Sequence, residues 1–116
     1  MTTRIVTNSG SPLYDPEGNV LSGVQVSFEL VDCAQRPVSV RDAVSNDVIS
    51  GTVIVSTDST GVFSAPLWPT SKGQTPSQYL CQIGAVNAAP FLIQVPDLSG
   101  SLSIFDAMTV GGLPPC

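Results

Sequence analysis

The chain contains no histidine and few charged residues. Only 11% of its 116 residues are charged, whereas about 25% are charged in a typical soluble domain. Catalysis by Ser-His-Asp or Cys-His arrangements is excluded, because both use an imidazole as the base. A zinc site would depend on carboxylates or on Cys33, Cys81 and Cys116, whose spacing is not that of a metal site.

Basic residues are few and scattered along the chain. Arg4, Arg36, Arg41 and Lys72 are the whole set. Binding along a phosphate backbone needs clustered basic side chains, so we expect no nucleic-acid partner. The sequence also lacks an apolar run near the ~20 residues of a membrane-spanning helix, so we expect no membrane span.

The acidic residues give little indication of catalysis. A glycosidase needs two carboxyl groups about 5–10 Å apart in a cleft, and turn or cap positions explain Asp15, Asp58 and Asp97 more simply. Asp42 and Asp47 are the best candidates for calcium ligands, but they lack the D-x-D-x-D-G pattern. We therefore predict a protein that is not an enzyme and has no cofactor and no metal.

The three cysteines argue against a secreted scaffold held by disulfides, since their number is odd. Cys33 and Cys81 lie at or in predicted strands and are interpreted as small buried hydrophobic residues. A Cys33–Cys81 bridge is the alternative. Cys116, the last residue, could be a free thiol or an intermolecular link.

The low charge has two interpretations. Part of the surface could be covered by other subunits, since a small domain exposes much of its surface. Alternatively, the surface is wetted by the many serine and threonine side chains. The sequence leaves both open.

Strands dominate the hydrophobic pattern. The clearest lies in Leu21–Val31, where Val24, Val26, Phe28 and Leu30 alternate with polar residues, which indicates one buried and one wet face. Glycine, proline and aspartate turns separate the segments. Seven short strands in this order predict an all-β sandwich: Thr2–Thr7, Leu21–Val31, Val38–Arg41, Val48–Ser56 with a bulge at Gly51, Gly61–Pro66, Gln78–Val86 and Ala89–Val95.

The stretch Val53–Trp68 is the most informative local pattern. It predicts a hairpin, in which two strands are joined by the polar turn Thr57–Gly61. Asp58 can accept backbone N–H groups of the turn, and Gly61 permits a positive φ.

Helix is predicted only at Ser101–Met108, where Ser101 can cap and Leu102, Phe105 and Met108 share a face. We expect one domain over residues 1–116. Its core covers about residues 2–96, the helix 101–108 and an irregular tail 109–116.

Four residues are candidates for interaction with partners. Trp68 and Tyr79 could stack on a sugar, or they could pack in the core. Phe105 could dock on a neighbouring subunit, or it could pack on its own domain. Cys116 is the fourth candidate, as a possible link to another chain. Exposed strand edges could also recruit another subunit by strand addition.

The order of motifs resembles a known group of domains. The chain reads D-P-E-G-N at 15–19, L-S-G-V-Q-V-S-F at 21–28, T-D-S-T-G-V-F at 57–63, L-W-P at 67–69 and F-L-I-Q-V-P-D at 91–97. Over residues 5–106 this series resembles the small immunoglobulin-like or transthyretin-like domains of tailed bacteriophage virions, which occur in tail-fibre and accessory structural proteins.

The resemblance implies a structural role with no shared catalytic site, so no catalytic residue is transferred to this chain. It implies a virion protein assembled in the host cytoplasm and present in several symmetry-related copies. The expected function is an attachment or adaptor subunit that binds tail or tail-fibre proteins. Capsid decoration and an extracellular glycan-binding or adhesion module, on a host-surface glycan, are the alternatives.

Overall fold

The computed structural model describes residues 3–8, 12–32, 34–84 and 90–104. Within them the chain is all-β, with nine strands and a short 3₁₀ helix at Thr70–Lys72. The strands are β1 Arg4–Thr7, β2 Gln25–Val31, β3 Val40–Arg41, β4 Val48–Ile49, β5 Thr52–Ser56, β6 Ser64–Leu67, β7 Gln78–Ile83, β8 Phe91–Ile93 and β9 Leu102–Ser103.

Two larger sheets and one small sheet are formed. The four-stranded sheet has the order β5-β2-β7-β8 and is antiparallel throughout. The three-stranded sheet has the order β6-β1-β9, in which β1 pairs antiparallel with β6 and parallel with β9. Strands β3 and β4 form a separate antiparallel pair.

Both larger sheets contribute to one hydrophobic core. Alternation in β2 is confirmed, since Val26, Phe28 and Leu30 are buried while the residues between them are not. The Phe28 and Phe63 rings are 6.0 Å apart, in a tilted arrangement. The other sheet adds Val6, Ala65, Leu67 and Leu102 to the same buried cluster, and Ile104, just after β9, joins it.

The predicted hairpin at Val53–Trp68 is wrong. Strand β5 pairs with β2, and β6 pairs with β1, so the turn between them joins different sheets. Asn8, which follows β1, holds the far side of this turn: its side chain accepts the Phe63 N–H (2.9 Å) and donates to the Gly61 carbonyl (3.0 Å). Those buried bonds direct the chain toward β1 instead of back along β5.

The chemistry predicted for the turn itself is confirmed. The Asp58 carboxylate accepts the N–H groups of Thr60 and Val62 and the Thr60 hydroxyl. Gly61 has a φ of 77°, and a Cβ there would lie 2.9 Å from the Leu13 carbonyl oxygen. A side chain at this position would therefore strain the backbone and collide with the loop beside it.

The predicted helix does not begin at Ser101. Leu102–Ser103 form β9 beside β1, with Leu102 buried, and Ile104, also buried, is the first residue with helical backbone. The core thus extends beyond its predicted end at 96. Phe105 and Met108, with the tail 109–116, lie outside the described residues.

The remaining strands are shorter than predicted. The strand at Val38–Arg41 is reduced to β3, and Gly51, with a φ of 106°, divides Val48–Ser56 into β4 and β5. In the described residues, the strand predicted from Gln78 begins there and ends at Ile83 as β7, and the last predicted strand covers only Phe91–Ile93, as β8.

Candidate interaction surfaces

Trp68 and Tyr79 meet at one end of the core. Each side chain is 4% exposed. The Trp68 indole N–H donates to Asp42 Oδ2 at 2.7 Å, and the Tyr79 hydroxyl donates to the Trp68 carbonyl oxygen at 2.7 Å. Of the two alternatives for these rings, the structure has the packed one, and neither ring offers an exposed face for a sugar.

Asp42 is the polar centre of this end, although it is itself buried. Its Oδ1 accepts the N–H groups of Val44 (2.8 Å) and Ser45 (3.0 Å), and Lys72 Nζ lies 3.9 Å from Oδ2. The indole hydrogen bond, helped by the two backbone N–H groups, lowers the pKa of Asp42 from 3.8 to about 2. Its oxygens are thus occupied by the fold, and the described residues contain no cluster of three or more metal-ligating side chains.

Other aspartates form similar turns. Asp15 accepts the N–H groups two and four residues ahead, and so do Asp32 and Asp58. The Arg36 N–H lowers the pKa of Asp32 most, and the Thr60 hydroxyl does so for Asp58. These carboxylates hold loops in place, which was expected for Asp15 and Asp58 and not foreseen for Asp32.

Cys81 is a buried free thiol, so the alternative of a Cys33–Cys81 bridge is not formed. Burial raises the pKa of Cys81 to about 12, which leaves little nucleophilic thiolate at neutral pH. Cys33 and Cys116 lie outside the described residues.

A cleft of about 380 Å³ lies beside the 3₁₀ helix, lined by residues 70–71, 73–77 and 94–96. Its two walls are joined, because Thr70 Oγ1 accepts the Val95 N–H (3.1 Å) and Ser71 Oγ accepts the Asp97 N–H (2.8 Å). The lining side chains are hydroxyl, amide, proline and one valine, without a charged side chain among these residues. Such a surface suits a neutral polar ligand better than an ion.

Several large apolar side chains are exposed on the outside of the described part of the chain. Ile54 in β5 is 60% exposed, and Val48 in β4 and Tyr14 in an N-terminal loop are each 56% exposed. Val44 and Leu98, both in loops, are more exposed still. Single exposed apolar residues are ordinary, but here few charged side chains accompany them.

The free strand edges of the two larger sheets differ in how they are protected. In the three-stranded sheet, β6 contains Pro66, which has no N–H to donate, and β9 has two residues. In the four-stranded sheet, β8 has three residues, whereas β5 has five and contains neither proline nor charge. Among the described edges, β5 is the open one.

Local patterns pointed to Trp68 and Tyr79 but did not indicate that Asp42 bonds to the Trp68 indole, or that β5 is an edge strand. The alternation of side chains along a strand does indicate the exposure of Ile54. Because Val53 and Val55 face the core, Ile54 between them faces outward. Phe105 and Cys116 stay predictions, because both lie outside the described residues.

Neither a comparison with protein-family models nor a search of curated proteins finds a match to this chain. In the described part of the chain, no helix has the length and apolar character needed to cross a membrane.

Proposed function

We propose that this protein is a non-enzymatic structural component of a tailed-bacteriophage virion, with an immunoglobulin-like or transthyretin-like β-sandwich. It acts as an attachment or adaptor subunit that binds tail or tail-fibre proteins in several symmetry-related copies. The observation that carries the proposal is the outer surface, which combines an open strand edge and exposed apolar side chains with few charges.

The hydrogen bonds of the loop carboxylates agree with a structural role. Asp15, Asp32, Asp42 and Asp58 accept hydrogen bonds within their own loops, and Asp42 also holds the indole of Trp68. These side chains fix the frame on which the outer surface is presented. A rigid frame favours an assembly contact, because ordering a loose surface on binding costs free energy.

The virion location is supported by the resemblance of the ordered motif series to domains of tailed-bacteriophage proteins. The series joins the turn at 15–19, the L-W-P at 67–69 and the V-P-D at 95–97. Capsid decoration would use the same kind of surface, and it is the alternative location within the virion.

Particle analysis tests the proposal. Virions purified by density gradient are separated into tails and capsids, and the protein is quantified by mass spectrometry and by labelled antibody in electron micrographs. We expect several copies per particle, at the tail. Label on capsids would favour decoration, and absence from washed particles would contradict a virion role.

A glycan-binding module is the second candidate, and the cleft beside the 3₁₀ helix is the observation that favours it. Ser77 lies at the cleft with its hydroxyl buried and without a hydrogen-bond partner in the described residues. A glycan array with wild type, Gln94→Ala in the cleft and Gln25→Ala outside it distinguishes the candidates. Loss of binding only in Gln94→Ala supports the module, and no binding by wild type removes it.

A further inference from the structure

Strand β5 has one side bonded to β2, and no strand of the described residues pairs with its other side. Two hydrogen bonds at its ends determine which residues face which side: the Leu30 N–H donates to the Gly51 carbonyl (3.2 Å), and the Thr57 N–H donates to the Val24 carbonyl (2.9 Å). Alternate residues of an antiparallel strand bond to the same neighbour. Val53 and Val55 therefore bond to β2, and the N–H and C=O groups of residues 52, 54 and 56 face the open side.

The sequence of this edge is nearly symmetric about its centre. It reads Thr-Val-Ile-Val-Ser, with a hydroxyl residue at each end, valines inside them and Ile54 in the middle. When such a strand is paired antiparallel with itself, each side chain meets one of its own kind. No charge lies on the strand, so self-pairing brings no like charges together.

We propose that β5 pairs antiparallel with β5 of a second copy, about a two-fold axis that passes beside Ile54. This pairing sets Ile54 opposite Ile54, Val53 opposite Val55 and Thr52 opposite Ser56 across the axis. The two four-stranded sheets then form one continuous eight-stranded sheet.

The pairing satisfies the open backbone groups. Each of the three residues that face the edge exchanges two hydrogen bonds with its opposite residue, which gives about six bonds across the axis. A symmetric contact of this kind closes after two copies and leaves no further edge of the same type.

The pairing also covers apolar surface on both faces of the sheet. Ile54, 60% exposed in the single chain, meets its equivalent on the outer face. Val53 and Val55 are only partly buried against the core, and each gains the other as a neighbour on the inner face. This dimer does not depend on the virion proposal, because it follows from one strand of the isolated chain.

Light scattering after size exclusion tests the dimer with the full-length chain. We expect a mass twice the 12.0 kDa of one chain. Ile54→Lys places two positive charges at the axis and should raise the dissociation constant at least about tenfold. Leu98→Lys adds the same charge at an equally exposed loop position and should leave the mass unchanged.

A wild-type chain that stays monomeric at millimolar concentration would overturn the proposal, and so would an Ile54→Lys dimer as tight as wild type. Far-ultraviolet circular dichroism shows whether each variant is folded, so a monomer caused by unfolding is recognised.

Cysteine cross-linking tests the register. In a Cys33→Ser, Cys116→Ser background, Ile54→Cys places two thiols across the axis, where opposed Cα atoms are about 5.5 Å apart, within disulfide range. Ser56→Cys is the matched control. In the proposed register, position 56 of one copy lies opposite Thr52 of the second copy, so the two introduced thiols are four positions apart along the strand. We expect cross-linking with Ile54→Cys and little with Ser56→Cys, and the reverse result or equal cross-linking would overturn the register.

Discussion

The Trp68 end of the core and the β5 edge are opposite in character. At the Trp68 end, the buried Asp42 carboxylate accepts the indole N–H and lies beside Lys72, and the Tyr79 hydroxyl donates to the Trp68 carbonyl. At the β5 edge, a row of backbone groups faces outward beside an exposed isoleucine, without a charge on the strand. In this weakly charged chain, the polar side chains at the Trp68 end bond within the fold. None of them covers the backbone groups at the outer edge of β5, which stay available for pairing.

The largest effect is expected from Trp68→Ala. The substitution removes a large buried side chain and leaves Asp42 buried without its indole partner. We expect a loss of about 3–5 kcal/mol in the free energy of unfolding, measured by urea titration.

Trp68→Phe is the matched control for that prediction, because it keeps most of the ring volume and removes the N–H. Its loss should be smaller than that of Trp68→Ala. Equal losses would show that the hydrogen bond, and not packing, dominates this end.

A pH effect should follow from Asp42. Folding lowers the pKa of Asp42 from 3.8 to about 2, so the folded state binds fewer protons than the unfolded state between these values. The stabilisation is therefore present above pH 4 and is lost as pH falls toward 2. Unfolding free energies measured from pH 5 to pH 2 should show this decline.

Asp42→Asn removes the titrating carboxylate and should flatten part of that decline. Asp47 is exposed on the same loop, and Asp47→Asn leaves the contacts of Asp42 in place. The decline in stability at low pH should therefore persist in Asp47→Asn. An unchanged slope in Asp42→Asn would contradict the role assigned to this carboxylate.

Asn8→Ala tests how the chain crosses between the sheets. The substitution removes two buried hydrogen bonds and leaves the Gly61 carbonyl and the Phe63 N–H without their side-chain partner. We expect a loss of about 1–3 kcal/mol in the free energy of unfolding. The exposed Asn19→Ala serves as control and should change it by less than about 0.5 kcal/mol.

The smallest effect should come from the edge itself. In dilute solution, where the chain is monomeric, Ile54→Lys should change the free energy of unfolding by no more than about 0.5 kcal/mol, since its side chain is 60% exposed. Thermal unfolding at low micromolar concentration measures this. A large loss in the free energy of unfolding would mean that Ile54 stabilises the single chain, as Trp68 does, and would contradict the assignment of Ile54 to an edge.

Local patterns predicted a good part of the fold. Alternation located β2, and Asp58 with Gly61 marked a tight turn, because these features depend on residues close in sequence. Local pattern does not show which strand another strand pairs with. The two bonds from Asn8 to the far side of the turn span more than fifty residues, and they decide that β6 joins β1.

The interaction surfaces were predictable to a lesser degree. Trp68 and Asp42 are 26 positions apart, and nothing in either local pattern couples them. At Leu102–Ser103 a three-residue spacing of apolar residues suggested a helix, but pairing with β1 produces a strand there. Tertiary contacts outweighed local preference in this short segment.

Amide hydrogen exchange followed by NMR at two concentrations tests the central claim, that the Trp68 end is closed in the single chain and the β5 edge closes by pairing. We predict slow exchange of the Trp68 indole N–H and of the Val53 and Val55 amides at both concentrations. The amides of Thr52, Ile54 and Ser56 should exchange fast when dilute and slowly when concentrated. Equal, fast exchange of these three at both concentrations would contradict the account.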